Sequence, residues 1–116
     1  MENRIVSLVV DAADAELLAQ FWAGALGWQV VNRGSYGVSI GAEGSPFEID
    51  FRSVPDGPKP VKNRLHLDVK PLNRDQQAEL DRLLALGARQ VDVGQGKPSW
   101  YVLADPEGNE FCLCRP

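Results

Sequence analysis

The 116-residue chain contains one histidine, and its neighbours decide what chemistry it has available. His66 lies in "NRLHLDV", residues 63–69, two positions from Arg64 on one side and two from Asp68 on the other. In an extended strand alternate residues share a face, so Arg64, His66 and Asp68 point away from the side taken by Leu65, Leu67 and Val69. Imidazole titrates near neutral pH and serves as a general base or a metal ligand. Residues i and i+2 of a regular strand stand ~7 Å apart, which places Asp68 beyond direct hydrogen-bond reach of His66 unless the side-chain rotamers close the gap.

Three other residues bear chemistry by the same alternation. Glu48, between Phe47 and Ile49, presents a carboxylate on the polar side of its strand and joins His66 as a catalytic candidate, with a solvated or ion-paired strand residue as the plain alternative. Ser7 sits on the first strand. Cys112 and Cys114 occupy i and i+2 in "FCLC", a spacing that strains a disulfide; free thiols point to a reducing compartment, and Cys112 falls on the polar-facing side. Trp100 and Tyr101 are adjacent, so one of the two faces the same side as these groups, and an exposed ring there favours a planar ligand. The glycines of "GAEGSP" and "GQGKP" match no phosphate-loop spacing.

The elements that must position these groups occur twice over. "RIVSLVV" reads as a strand, after which Asp14 caps a helix over 15–26 whose Leu17, Leu18, Phe21, Trp22 and Ala25 form an apolar stripe stopped by Gly27. Three extended runs follow, "WQVVNR", "YGVSIG" and "PFEIDF". The Pro-rich connector "VPDGPKPVKN" separates this module, about 1–53, from a second at about 64–116, with a linker at about 54–63. There "RLHLDV" reads as a strand, Asn73 and Gln76 as a capping box, and "QQAELDRLLAL" as a helix with Leu80, Leu83 and Leu84 on one side before Gly87. The runs "RQVDV", "SWYVLA" and "EFCLC" complete it, with a type I turn at "DPEG". The order is βαβββ twice, an α+β fold.

Composition excludes several roles. Twelve basic against sixteen acidic residues leave a net charge of −4, with no basic cluster to track a phosphate backbone, so nucleic acid is not an expected partner. No apolar run approaches ~18 residues, and the start lacks the pattern of a signal peptide, so the expectation is a cytoplasmic protein without membrane association. At 44% hydrophobic the chain has enough apolar residues for a one-domain core.

With these features in place, the duplicated βαβββ plan, "FWAGALGW" at 21–28 and "DPEGNEF" at 105–111 resemble the vicinal oxygen chelate superfamily, in particular its short glyoxalase-like members of the glyoxalase, bleomycin resistance and dioxygenase type. The resemblance implies a curved, eight-stranded mixed sheet, a half-barrel with its helices outside and a ligand cleft on the concave face. It also implies a homodimer, which would cover edge strands. Metal-using members take ligands from the first and last strand of each half. Those positions fall here on Ser7 and Glu48, then Arg64 and Cys112. Arg64 is a permanent cation and opposes a metal, and a two-histidine, one-carboxylate iron site cannot form from one histidine.

Two functions follow. The favoured one is a small-molecule-binding protein that uses no standard metal site and holds a carbonyl, aromatic or anionic ligand among Ser7, Glu48, Arg64, His66, Trp100, Tyr101 and Cys112. The alternative is a divalent-metal lyase, isomerase or dioxygenase using Glu48 and His66, with Glu48, His66 and Cys112 as an irregular ligand set.

Overall fold

The computed structural model describes residues 2–55, 61–91 and 100–115. The chain divides into two compact units, residues 1–57 and 58–116, and each holds one four-stranded mixed sheet. No helix among the described residues is long and apolar enough to cross a membrane.

The first unit runs β1 (Ser7–Ala12), α1 (Ala15–Leu26), β2 (Gln29–Gly34), β3 (Gly37–Gly41) and β4 (Glu48–Ser53). Its sheet has the order β1-β4-β3-β2, with β1 parallel to β4 over six residue pairs and the other pairings antiparallel. The first strand begins three residues later than the run from Arg4 suggests and extends to Ala12. Helix α1 starts as expected: the backbone N–H of Leu17 donates to Asp14 Oδ1 at 3.1 Å, and Gly27 ends it in the left-handed region at φ 71°. Leu18, Phe21 and Trp22 are buried, with the Phe21 and Trp22 rings edge to face at 5.2 Å. Leu17 departs from the expected stripe and stays 47% exposed. It sits about 100° round the helix from Leu18, on the shoulder of the apolar face.

Helix α1 lies against β3 and β4, where the cross-strand pairs Val38 with Phe51 and Ile40 with Ile49 are buried. The hairpin from β2 to β3 depends on Gly37, because a Cβ at its φ of 144° would overlap the carbonyl oxygen of Phe51 on the neighbouring strand.

The second unit runs β5 (Asp68–Val69), α2 (Gln76–Leu86), β6 (Arg89–Gln90), β7 (Tyr101–Ala104) and β8 (Glu110–Leu113), with sheet order β5-β8-β7-β6. The helix cap is Asp75, whose Oδ1 accepts from the N–H of Ala78 at 2.7 Å. The Asn73–Gln76 box therefore does not form; Asn73 stands two residues too early, and a carboxylate next to the first helical residue is the stronger acceptor for the helix's free N–H groups. Leu80 and Leu83 are buried, Leu84 is half-buried, and Gln76 Nε2 donates to the Leu113 carbonyl at 3.2 Å, tying α2 to β8. Residues 92 and 93 of the "RQVDV" run, the "GQGKP" loop and the centre of the Pro-rich connector lie outside the described residues.

The fifth strand differs most from expectation. "RLHLDV" reduces to a two-residue strand, and Leu65 is 83% exposed rather than part of the core. The cause is Asn63. Its Oδ1 accepts the backbone N–H of Glu110 at 2.9 Å, and its own N–H donates to Glu110 Oε1 at 3.1 Å. Its amide nitrogen also donates to the Leu65 carbonyl. A side chain thus occupies the first donor of β8, and residues 64 and 65 pass outside the ladder.

At the other end of β8 the "DPEG" turn closes as expected, with the Gly108 N–H donating to the Asp105 carbonyl at 2.9 Å. The Asp105 side chain, 2% exposed, accepts from the N–H groups of Glu107 and Asn109, both at 3.0 Å, and from Asn109 Nδ2. These bonds fix where β8 begins.

Replacing Phe21 or Trp22 with alanine is expected to cost about 3–5 kcal/mol in denaturant unfolding, through lost burial and the cavity left behind; unchanged midpoints would contradict their place in the core. A second expectation concerns Glu79, buried on α2 and held by Arg82 (2.8 Å to each carboxylate oxygen) and by Arg74 at 3.2 Å. The hydrogen bond from Arg82 is the main reason its carboxyl is held below the usual 4.5. A depressed carboxyl contributes stability above its unfolded pKa and loses it as pH falls through the folded value. Glu79→Gln should therefore lower stability near neutral pH by about 1–3 kcal/mol, and thermal melts of the two proteins should converge as the pH is taken well below 4.5.

Candidate functional site

The pairing of β5 with β8 puts two donors side by side. Asp68 and Cys112 are register partners across parallel strands, locked by the Cys112 N–H on the Leu67 carbonyl at 2.9 Å and the Cys114 N–H on the Val69 carbonyl at 2.7 Å. His66 precedes the strand proper, so its backbone is free of the ladder, and its Nε2 comes within 3.2 Å of Asp68 Oδ1. The i, i+2 separation of a regular strand does not hold them apart here, because the peeled segment lets the two side chains converge. One ligand atom from each of His66, Asp68 and Cys112 lies within 4.8 Å of the others.

The electrostatics of the cluster follow from its composition. Burial pushes the Cys112 thiol above its usual 9.0, and the Asp68 carboxylate adds to this by its charge and by a hydrogen bond, with Cys114 acting in the same direction and Lys62 against it. Burial and the charge of Asp68 likewise raise Cys114. Both cysteines are free, and both thiols are the neutral form at pH 7. Neither is an activated nucleophile.

The three side chains open onto a cavity of about 480 Å³ within the second unit. Trp100, 41% exposed, forms one of its walls, while Phe111 and Val102 supply buried apolar floor. Lys62 and Arg115 bring positive charge to the rim, and Glu110 adds a second carboxylate to that of Asp68. Apolar walls with a few convergent polar groups are the usual form of a small-molecule site.

Of the residues singled out in the sequence, His66, Cys112 and Trp100 meet at this cavity. Among the described residues Tyr101 and Arg64 are not part of its lining; Tyr101 is half-buried on β7, and Arg64 is exposed in the segment that Asn63 diverts. Ser7 and Glu48 are register partners in the first unit. There Glu48 borders a separate, open cavity of about 430 Å³ that also involves Arg4, Glu43 and Phe47. The sequence reading did not assign Asp68, Lys62, Glu110 or Arg115 to a site. Asp68 shares the facing of His66, but the spacing of a regular strand puts it out of reach; Lys62 lay in a connector with no periodicity to read.

The model of the glyoxalase-like domain family matches residues 7–114. The chain belongs to this family. Solved structures share the fold. The chain is similar to the fosfomycin resistance protein FosX from Mesorhizobium loti, with a TM-score of 0.72 and 12% identity over 98% of this chain and 92% of that one. It is also similar to a glyoxalase-related enzyme from Fulvimarina pelagi (TM-score 0.69, 17% identity, 97% and 87% covered). A third is TnmS3, an antibiotic binding protein from Streptomyces sp. CB03234 (0.65, 20%, 100% and 98%). At these identities the likeness establishes the fold. No curated protein matches the chain.

The neutral thiols of this glyoxalase-like domain should be slow to alkylate at pH 7. Mass-spectrometric mapping of iodoacetamide labelling against pH is expected to place the Cys112 midpoint above 9.0, and Asp68→Asn should move it down by removing a neighbouring negative charge. A midpoint that ignores the Asp68 substitution would contradict the contact between the two side chains.

Proposed function

We propose that this glyoxalase-like domain binds a small organic molecule in the second-unit cavity, with an aromatic or other planar part of the ligand against Trp100. The observation that carries the reading is the cavity itself: its volume of about 480 Å³ falls in the range of small-ligand pockets, roughly 300–1,000 Å³, and a half-exposed indole stands beside a compact polar cluster. Lys62 and Arg115 are positioned to meet a carbonyl or carboxylate of the ligand, and Asp68 and Glu110 to accept its hydroxyl or amine groups. Two structural neighbours, an antibiotic binding protein and a fosfomycin resistance protein, support a ligand of this size class. A homodimer is part of the proposal.

A divalent-metal enzyme, a lyase, isomerase or dioxygenase, is the second reading, and the meeting of His66 with Asp68 and Cys112 is the observation in its favour. Glu48, the other residue expected for that chemistry, borders the first-unit cavity instead.

The binding reading is tested by screening small aromatic acids and carbonyl compounds against metal-free protein for quenching of tryptophan fluorescence. A ligand found this way should lose most of its quenching in Trp100→Phe, and Arg115→Ala should weaken an anionic ligand by about 1.5–3 kcal/mol, the contribution of a hydrogen bond to a charged group. Sedimentation at micromolar concentration should show a dimer. Quenching that survives intact in Trp100→Phe would place the ligand elsewhere.

A further inference from the structure

We propose that the first unit carries a separate site for a small organic amine, on the sheet face turned away from α1, with the Asp50 carboxylate as its anchor. The site goes beyond the Trp100 cavity and rests on different residues. Val38, Ile40, Ile49 and Phe51 take the α1 side of β3 and β4, so alternation puts Ser39 and Asp50 on the other side. These two are register partners, and on its other flank Asp50 pairs with Val9 of β1.

Asp50 is the group that the fold leaves incomplete. The residue is half-buried, and its Oδ1 is sealed from solvent without a hydrogen-bond partner among the described residues. Its neighbours do not supply the donor. The Ser39 hydroxyl, on a residue 4% exposed, is engaged with the Tyr36 hydroxyl at 2.5 Å, and the side chain of Val9 has no donor to give. Arg52 shares the face two residues on, but it is exposed and has Asp11 as its register partner across β1. A buried carboxylate oxygen left unpaired costs free energy that a donor recovers. The terminal torsion of an aspartate is broad, so rotation of the carboxylate turns Oδ1 toward an incoming donor with the backbone in place.

The surroundings set the class of that donor. The open cavity of about 430 Å³ has Glu48 in its lining, two residues from Asp50 and on the same strand face. Its charged groups are Glu43 and Glu48 against Arg4, so together with Asp50 the carboxylates outnumber the guanidinium and favour a cation over an anion. Gly41 keeps the floor open. A Cβ there would stand 3.4 Å from Glu48 Cγ and 3.8 Å from Val31 Cγ1, so the missing side chain leaves room between β2 and β4. Phe47, Val6 and Val31 supply apolar wall. An ammonium hydrogen-bonded to Asp50 with Glu48 alongside, and an aromatic or alkyl body against Phe47 and Val31, uses each of these features.

The test follows nitrogen–proton correlation spectra of the full chain as phenethylamine is added, with hydrocinnamate as the acid of matching length. The expected result is saturable movement of the backbone amides of Ser39, Gly41 and Asp50 and of the Trp28 indole, whose ring meets Phe47 at 6.4 Å. Trp100 should stay, and the acid should leave the first-unit resonances unmoved. Asp50→Asn should weaken the amine on the order of 10-fold, the loss of a charge-assisted hydrogen bond. Gly41→Val should abolish binding by filling the floor, and Glu48→Gln, at an exposed position, should weaken it less than Asp50→Asn does. Circular dichroism of each variant separates loss of binding from loss of fold, and the contrast between amine and acid on the wild-type protein gives the same test without a substitution. Millimolar Mg²⁺ or Ca²⁺ at matched ionic strength should not compete with the amine. Equal affinity in a folded Asp50→Asn, displacement by either divalent ion, movement of Trp100 in place of Trp28, or no saturable movement at millimolar phenethylamine would each overturn the proposal. None of these outcomes bears on the quenching of Trp100 by aromatic acids and carbonyl compounds, so the two sites fail separately.

Discussion

The short parallel pairing of Asp68 with Cys112 is the contact on which the side-chain cluster of the second unit depends. Neither residue is unusual alone: a carboxylate on an edge strand is ordinarily solvated, and a small thiol in a sheet is ordinarily packing. Register makes them neighbours, and the lapse of the strand just before Asp68 lets His66 turn toward them. Four residues of regular strand from 64 to 67 would hold the imidazole and carboxylate at the i, i+2 spacing. The Asn63 side chain, by taking the first N–H of β8, prevents that strand from forming.

The two units show how one plan yields different surfaces. In the first, β1 and β4 remain paired over six residues, and Ser7 faces Glu48 across them. In the second, the equivalent pairing shrinks to two residues, and its lost length is replaced by side-chain bonds between Asn63 and Glu110. Asp105 anchors the opposite side of the same strand through four hydrogen bonds to its own turn. Strand β8 is thereby held at its start from both directions, which fixes Cys112 two residues further on. The precision of the cluster comes from loop side chains as much as from the sheet.

Much of the fold was legible because it rests on local rules. Asp14, Gly27 and Gly87 are strong helix boundaries, the stripe of Leu18, Phe21 and Trp22 is strongly periodic, and "DPEG" is turn chemistry. The larger misses required knowing a long-range partner. Leu65 alternates correctly with Leu67 yet is exposed, because the partner of its strand is taken by Asn63. The choice of Asp75 over Asn73 as helix cap turned on two residues of placement. Trp100 and Tyr101 could not be separated by alternation alone, and the structure places Trp100 on the cavity. His66 and Cys112 were recognisable as candidates from residue type and facing; that Asp68 joins them was not, since a regular strand would keep it apart from the imidazole.

The central claim is that ligands enter the second unit beside Trp100. The chain has three tryptophans, of which Trp22 is core and Trp28 stacks edge-on with Phe47 in the first unit, so three indole N–H resonances report three distinct places. Nitrogen–proton correlation spectra, assigned with Trp100→Phe, should be recorded while a library of small aromatic acids and carbonyl compounds is added. The account predicts that the Trp100 resonance moves on ligand addition while those of Trp22 and Trp28 stay. Movement of the Trp28 resonance with Trp100 unchanged would contradict it and place the binding site in the first unit.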